Sequence, residues 1–369
     1  MKIPKTSTGD RKFLELAFRL ARRGYGRTSP NPMVGAVLVK NGRVIGQGWH
    51  HRAGAPHAEI EALRAARGNV EGATLFVTLE PCCTHGRTPP CTAAIINAGI
   101  KRVVVAASDP NPSHHGKGFK ILKKAGITVS TGLLAELEQE LNEAFRHWIV
   151  QRTPFVTVKA AMSLDGKIAT RSGESKWITG PKARDYGMNL RVGADAILVG
   201  VKTIIADDPQ LTTRKKGFED KAPRRIVLDP TARIPLDAKV IAPSTTIVVT
   251  AGAPVRRVKA LRQRAQVLVA PNRNGGIDLR WLLKNLGREP IIHLLVEGGG
   301  ETNASFLLQG LAQRVAFFYA PIVIGGRTAP KGVAGDGVPD MASRILLRDI
   351  QWRQLEPDLL LTGRVGAAA

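Results

Sequence analysis

The sequence predicts an α/β protein of two domains. Three observations carry this. The chain of 369 residues exceeds what one hydrophobic core usually organises. Strand-length apolar runs alternate with runs of helical period in both halves. The alternation breaks at QRTP (151–154) and then restarts. The expected domains are 1–150 and 151–369.

In the first domain, Asp10 is a candidate cap for a helix through about Arg23, with Phe13, Leu16, Ala17 and Leu20 on one face. SPNP (29–32) reads as a loop. Residues 33–50 read as two strands joined by a tight turn at Asn41-Gly42. HAEIEALRAA (57–66) has helical period and puts His57 and Glu59 on a first turn, where unpaired backbone N–H groups gather. ATLFVTLEP (73–81) is a buried-strand pattern, CTAAIINAG (91–99) a helix opening at Cys91, and 101–112 a strand followed by a loop. Helices are expected at 117–126 and 133–147. Two helix starts carrying metal-ligand residue types after strands suggest an α/β sandwich with a metal between the helix N-termini.

In the second domain, strands are expected within 154–169, 194–200, 224–229, 245–251, 266–270, 291–297, near 314–324 and at 359–365. Helices are expected at 181–192, 255–264, 278–286 and 302–309, and a loop holds ADDP (206–209). This order predicts a mostly parallel sheet.

Hydrophobic residues make up 43% and charged residues 23%, which places the chain among ordinary soluble globular proteins. No apolar run approaches the ~18 residues of a membrane span, and MKIPKTSTGDRKF lacks a signal-peptide core. With three clustered cysteines, a cytoplasmic setting and a metal role for the thiols are expected. The net charge of +24 is dispersed: residues 1–150 carry 21 Lys and Arg against 11 Asp and Glu, and the remainder 33 against 19. The expected partners are anionic small molecules, with no nucleic acid and no membrane.

The chemistry concentrates between His57 and Cys91. HAEIE is followed about two dozen residues later by PCCTHGRTPPC (81–91). Imidazole and thiolates are strong zinc ligands, and His57 with two of the three cysteines leaves a fourth position open for water, whose pKa zinc lowers to about 7. Glu59, two residues past the histidine, is placed to take a proton from that water and deliver it to a leaving amine. These residue types form the working set of hydrolytic deamination at a zinc centre. Spacing alone does not say which cysteine is spare.

The second domain's clearest feature is IIHLLVEGGGETNASFLLQ (291–309), where a strand runs through Gly298, Gly299 and Gly300 into a helix. A phosphate cradle at a helix N-terminus and a tight structural turn both fit this pattern. It is not the full dinucleotide fingerprint. Gly200 at another strand end, the SLDGKIA loop (163–169) and Asp207 to Arg214 add to the case for a nucleotide lying across the sheet edge.

On these residues the chain resembles the bifunctional riboflavin-biosynthesis deaminase–reductase family over nearly its whole length. The resemblance rests on TSPNPMVGAVLV (28–39), HAE (57–59), LEPCCTHGRTPPC (79–91) and SDPNP (108–112). In the second half it rests on KAAMSLDGKIA (159–169), SGESKWIT (172–179), LRVGADAILVG (190–200), TIIADDPQLTTR (203–214) and VEGGG (296–300). It implies a cytidine-deaminase-like α/β/α sandwich followed by a dihydrofolate-reductase-like α/β domain. The implied zinc ligands are His57, Cys82 and Cys91, with Glu59 as proton shuttle and Cys83 spare. Asn31, His50, Arg87, Asp109 and Asn111 match positions that contact a pyrimidine carrying a ribosylamino phosphate, Arg87 being suited to the phosphate. Asn31 and Asn111 also fit plain Asn-Pro turns.

For the reductase half, the resemblance implies reduction of the ribosyl group to ribityl by NADPH. Ala161, Trp177, Thr203, Asp207, Gly299, Gly300, Glu301, Thr302, Asn303, Ala304 and Ser305 would line the cofactor. Lys159, Ser175, Arg191, Leu211, Arg214 and Glu297 would line the substrate, with Arg191 and Arg214 as phosphate clamps. A homo-oligomer, dimer or tetramer, is expected. Pro230 stands where the family often has Ser or Thr, which removes one cofactor hydrogen bond, and Thr84-His85 replaces a commoner His-aromatic pair. The alternative reading is a nucleoside or RNA deaminase fused to a nucleotide-binding domain. The eight residues between Cys82 and Cys91 argue against it, because such enzymes usually carry P-C-x-x-C.

Overall fold

Apolar strands buried on both faces build a five-stranded sheet in the first part of the chain. The computed structural model describes residues 8–84, 89–273 and 275–366, and the chain divides into two units, Met1–Arg152 and Thr153–Ala369. The first unit runs α1 (Thr8–Ala21), a 3-10 turn (Arg22–Gly24), β1 (Gly35–Lys40), β2 (Arg43–Trp49), α2 (Ala58–Arg64) and β3 (Thr74–Leu79). It continues with α3 (Cys91–Asn97), β4 (Arg102–Ala107), α4 (Lys117–Lys124), β5 (Thr128–Thr131), α5 (Ala135–Leu141) and α6 (Glu143–Gln151).

The sheet order is β2-β1-β3-β4-β5. β1 is antiparallel to both neighbours, and β3, β4 and β5 are parallel. Asn41 (φ 51°) and Gly42 (φ 72°) both take the left-handed conformation that a two-residue hairpin turn of this type demands. Ala36 and Leu38 of β1 face Ala58 and Ala62 of α2, together with Ile95 and Leu122 from α3 and α4. Val37 and Val39 face Phe13, Leu14 and Phe18 of α1 on the other side, where Leu137 and Leu141 of α5 join them. The unit is therefore an α/β/α sandwich, with alternate residues of one strand feeding two cores.

The second unit contains β6 (Phe155–Ser163), α7 (Pro181–Gly193), β7 (Ala196–Gly200), α8 (Val201–Asp207), β8 (Arg224–Leu228), β9 (Thr245–Thr250), α9 (Val255–Arg262) and β10 (Gln266–Ala270). A short ribbon, β11 (Asn272–Arg273) and β12 (Gly276–Ile277), precedes α10 (Leu279–Arg288), β13 (His293–Val296), α11 (Gly299–Leu308), β14 (Arg314–Ala320), β15 (Leu347–Leu355) and β16 (Asp358–Val365). The nine-stranded sheet has the order β10-β9-β8-β7-β13-β6-β14-β16-β15. The strands from β10 to β14 in that order are parallel, and the last two are antiparallel. Leucines of α10 and Phe306 and Leu307 of α11 cover one face. Val201 and Ile204 of α8 and Leu261 of α9 cover the other.

Several elements depart from the sequence expectation. Asp10 does not cap α1. It lies within the helix and forms a bidentate pair with Arg102 at 2.9 and 2.8 Å. His57 is the N-cap of α2 and stands just outside its first turn. The helix expected at 133–147 is two, parted at Asn142, whose buried amide bonds both the N–H and the carbonyl of Met33. α11 begins at Gly299, three residues before its expected start, and α8 fills part of a segment expected to be a loop. Among the described residues no helix is long and apolar enough to cross a membrane.

Candidate functional site

In the first unit, a cavity of about 510 Å3 opens where the ends of β2, β3 and β4 meet the segment leading into β1. Its floor depends on how closely α2 lies on β2. A Cβ at Gly46 would stand 2.3 Å from the Ala62 carbonyl oxygen, and one at Gly48 would stand 2.4 Å from that of Ala58. These two glycines let α2 settle on the sheet and bring its N-terminus to the cavity. His57 caps α2, Cys91 opens α3, and Cys82 sits in the turn after β3.

The three side chains converge. His57 Nδ1 lies 3.5 Å from Cys82 Sγ and 3.4 Å from Cys91 Sγ, and all three ligand atoms fall within 4.8 Å of one another. Sulfur at about 2.3 Å and nitrogen at about 2.0 Å from a tetrahedral zinc stand about 3.5 Å apart, so the donor set fits that ion. The Cys91 backbone N–H donates to Cys82 Sγ at 3.3 Å. Bonds from the Cys91 thiol and then from His57 outweigh burial and lower the Cys82 pKa, so Cys82 is the thiolate of the pair. Glu59 is 3% exposed. Burial first, then the charge of Cys82, pushes its carboxyl up to about 7.

Around this cluster the cavity wall is ordered. His50 Nδ1 faces the Pro56 carbonyl at 3.1 Å and Nε2 faces Asn31 Nδ2 at 3.1 Å. A carbonyl only accepts, so Nδ1 carries the proton and Nε2 accepts from the Asn31 amide. That leaves the Asn31 carbonyl oxygen available to a ligand. Burial lowers the His50 pKa and keeps the ring neutral. Asp109 Oδ1 accepts the N–H of Asn111 at 2.8 Å, and Asn111 Oδ1 accepts that of Ser113 at 3.0 Å. Both residues therefore shape the turn as well as line the cavity. His114 joins the wall, 3.5 Å from Asp109 Oδ2 and 3.4 Å from Thr84 Oγ1. Arg87 and His85 lie outside the described residues.

Besides His114, two residues that hold the wall in place escaped the sequence reading. Glu80 is 6% exposed, and its carboxylate accepts the N–H groups of Asp109 (3.1 Å), Gly116 (2.9 Å) and Gly118 (2.9 Å). It holds the whole loop that carries Asp109 and Asn111. Asn142 does the same for the segment beside Asn31 through Met33. The acidic residue directly after β3 in LEP was the available signal for Glu80; Asn142 gave none.

In the second unit a cavity of about 980 Å3 runs along the ends of β8, β7, β13 and β6. Ser175, Thr203, Asp207, Gly299, Gly300, Glu301, Thr302 and Ser305 line it, and Ser175 Oγ donates to Asp207 Oδ1 at 3.3 Å. The glycines there have different causes. A Cβ at Gly298 would stand 2.4 Å from Thr302 Cγ2, and one at Gly300 2.2 Å from the Lys331 carbonyl oxygen, so the chain's own packing demands both. Gly299 has φ 77°, and a Cβ there would meet nothing nearer than Thr203 Oγ1 at 3.5 Å, so its open side suits a ligand.

The remaining expected residues fall elsewhere. Ala161 packs beside the cluster of Ala183, Phe318 and Leu360. Trp177 is 69% exposed, with the Arg184 guanidinium 4.5 Å from its ring. Asn303 and Ala304 turn inward, Asn303 Nδ2 donating to the Gly332 carbonyl at 2.8 Å. Leu211 is buried in a core cluster, and Arg214 is exposed outside the cavity. Arg191 does not stand free as a phosphate clamp. It pairs with Glu297 at 3.1 and 2.8 Å and donates to the Thr212 carbonyl at 3.0 Å. Lys159 adds its charge to the same group.

Residues 7–107 match the family model of the cytidine and deoxycytidylate deaminase zinc-binding region, and residues 154–361 match that of the RibD C-terminal domain. The riboflavin biosynthesis protein RibD of Aquifex aeolicus is 46% identical over 356 residues, covering 95% of this chain and 97% of its own. The structure of RibD from Acinetobacter baumannii is similar with a TM-score of 0.87 at 37% identity, covering 97% of this chain and 99% of that one. The diaminohydroxyphosphoribosylaminopyrimidine deaminase/5-amino-6-(5-phosphoribosylamino)uracil reductase of Thermotoga maritima gives a TM-score of 0.81 at 34% identity, with the same coverage.

Proposed function

The chain belongs to the family of bifunctional RibD deaminase–reductases, and from that premise we propose that it carries out two successive steps. The first is hydrolytic deamination of a diaminopyrimidinone bearing a ribosylamino phosphate. The second is reduction of the ribosyl group to ribityl. The observation that carries the reading is the convergence of His57, Cys82 and Cys91 beside the buried Glu59.

In the first unit, His57, Cys82 and Cys91 would hold zinc, which when bound would lower the pKa of a water to about 7. Glu59, its carboxyl pushed up to about 7, exchanges protons readily near neutral pH. It takes the proton from the attacking water and hands it to the departing ammonia. Asn31 accepts from the ring's N–H groups, with neutral His50 fixing its amide. Asp109 and Asn111 close the opposite wall, and Arg87 receives the phosphate.

In the second unit, NADPH when bound would supply the hydride. Gly299, Thr203, Thr302 and Ser305 offer an open backbone and hydroxyls to its diphosphate. Glu301 and Asp207 complete the cofactor region, and Asn303 and Ala304 shape the first turns of α11, while Ala161 and Trp177 stand outside the cavity. Lys159, Ser175, Arg191 and Glu297 frame the substrate end, Arg191 with the N–H groups that Glu297 and Thr212 leave unused, whereas Leu211 supports it from the core and Arg214 stands exposed outside the cavity.

The test supplies the zinc-loaded full chain with the diamino substrate and follows ammonia release and NADPH oxidation together. Both signals are expected. Glu59→Gln should abolish both from the diamino compound yet leave NADPH oxidation intact from the deaminated one. Ammonia without NADPH oxidation would overturn the reductase half. Neither signal, with deamination of cytidine or RNA instead, would replace the reading with a nucleoside or RNA deaminase.

A further inference from the structure

The second unit's cavity is asymmetric in charge. Toward β6 its lining mixes charges, with Asp207 and, beside the loop after β6, Lys331, and Glu301 and Lys202 also line it. At its β8 end the wall comes from the turn after β8, the β11–β12 ribbon and the start of α10, and it contains Arg233, Arg273 and Arg280 with no carboxylate among the lining residues there. Arg233 makes no hydrogen bond or ion pair among the described residues. Arg280 donates to a carbonyl, that of Gln309, at 2.6 Å. The carboxylate nearest Arg273, Asp278, is 3.9 Å away and is already the N-cap acceptor of Trp281. Three arginines thus line one end of the cavity, and only Arg273 has a carboxylate within 4 Å. Leu228, Pro230, Ile277 and Leu279 provide apolar walls between them. Pro230 has no N–H, so at this rim the arginines are the strong donors.

The direction of a dinucleotide in this cavity follows from the strand order. Its hydride-bearing ring must reach the substrate residues Lys159 and Glu297, on β6 and at the end of β13. Its adenosine then extends past β7 to β8, about two to three strand spacings of ~4.8 Å away. That puts adenine between the apolar walls and the adenosine ribose beside the arginines. We propose that Arg233, Arg273 and Arg280 form a subsite for the phosphate on the adenosine ribose, and so select NADPH over NADH. Arginine forks match phosphate oxygens in pairs, and nicotinamide enzymes that use the phosphorylated cofactor place arginine at this ribose. The inference rests on reading the second unit as the NADPH-dependent half.

Calorimetry on the full-length protein tests it with adenosine 2′,5′-bisphosphate and adenosine 5′-monophosphate, which differ by that one phosphate. The bisphosphate should bind at least tenfold tighter, with the difference shrinking as salt rises. Arg233→Ala and Arg273→Ala should each weaken the bisphosphate by about tenfold and leave the monophosphate unchanged, since each removes a charge-assisted contact. Arg233→Lys should restore part of the loss. Equal affinity for the two nucleotides, or equal weakening of both by the substitutions, would overturn the subsite alone. Failure of NADPH, NADH and both nucleotides to bind would overturn the reductase reading and the subsite with it.

Discussion

Arg191 and Glu297 meet fork to fork, Nε to Oε1 at 3.1 Å and Nη2 to Oε2 at 2.8 Å, with their side chains only 13% and 10% exposed. The pair ties α7 to the end of β13, one residue before the glycine turn that opens α11. Burial of either charge without the other is costly, because the survivor loses water and gains nothing. Glu297→Ala or Arg191→Ala should therefore each lower stability by about 3–5 kcal/mol in urea unfolding. The double substitution should cost clearly less than the two singles added. Additive losses would mean that the two side chains act independently.

The same pair sets an acid limit. Burial pushes Glu297 up, but the charges of Arg191 and Lys159 and the Arg191 hydrogen bonds outweigh it and hold the carboxyl at about 2. A free glutamate titrates at about 4.3. Between those values the unfolded chain binds the proton that the folded chain refuses, so stability rises with pH across this window. The contribution, on the order of 3 kcal/mol, is complete above about pH 4.3 and is lost as pH falls toward 2. Glu297→Gln should flatten this part of the curve of urea midpoint against pH. An unchanged slope between pH 4.5 and 2.5 would contradict the pairing.

Glu80 gives a prediction about loop order. Its carboxylate satisfies three backbone N–H groups of the 109–118 loop, and hydrogen bonds to a charged acceptor contribute about 1.5–3 kcal/mol each. Glu80→Ala should leave zinc content unchanged, speed hydrogen exchange at Gly116 and Gly118 by at least a hundredfold, and raise KM of the deamination more than it lowers kcat. Glu80→Gln, which keeps the acceptor oxygen, should recover part of the exchange protection. Slow exchange in the alanine variant would show that the loop is held by other means.

How far the sequence speaks depends on whether a residue's partner is near or carries its own signal. The metal cluster was legible because cysteines are rare and all three lie within ten positions. The hairpin at Asn41-Gly42 was legible because its backbone conformation admits few residues. Asp10 was misread: an acidic residue at a helix start looks the same whether it caps that helix or reaches Arg102, 92 positions away. The work of Glu80 was hidden, since its partners are backbone N–H groups that any residue supplies. The edge strand β15 was missed because almost every residue in it is exposed, which removes apolar alternation. The glycine run announced a turn, but that Gly300 yields to the Lys331 carbonyl needed the fold.

Cys83 is the cysteine that the proposed ligand set leaves out. It neighbours Cys82 in sequence, yet burial, then the charges of Glu80 and Cys82, raise its pKa and keep it a neutral thiol. Cys82 is the thiolate, fixed by the Cys91 N–H, and Cys91 is buried against His57. Cys82→Ser and Cys91→Ser should each lose zinc during dialysis and abolish ammonia release, since a hydroxyl replaces a thiolate in a set of three protein ligands. Cys83→Ser should retain zinc and activity. NADPH binding should persist in all three variants, because its residues belong to the other unit. Metal analysis by atomic emission decides the matter: zinc loss from Cys83→Ser with retention in Cys82→Ser would reassign the ligand set to Cys83 and move the first turn of the site by one residue.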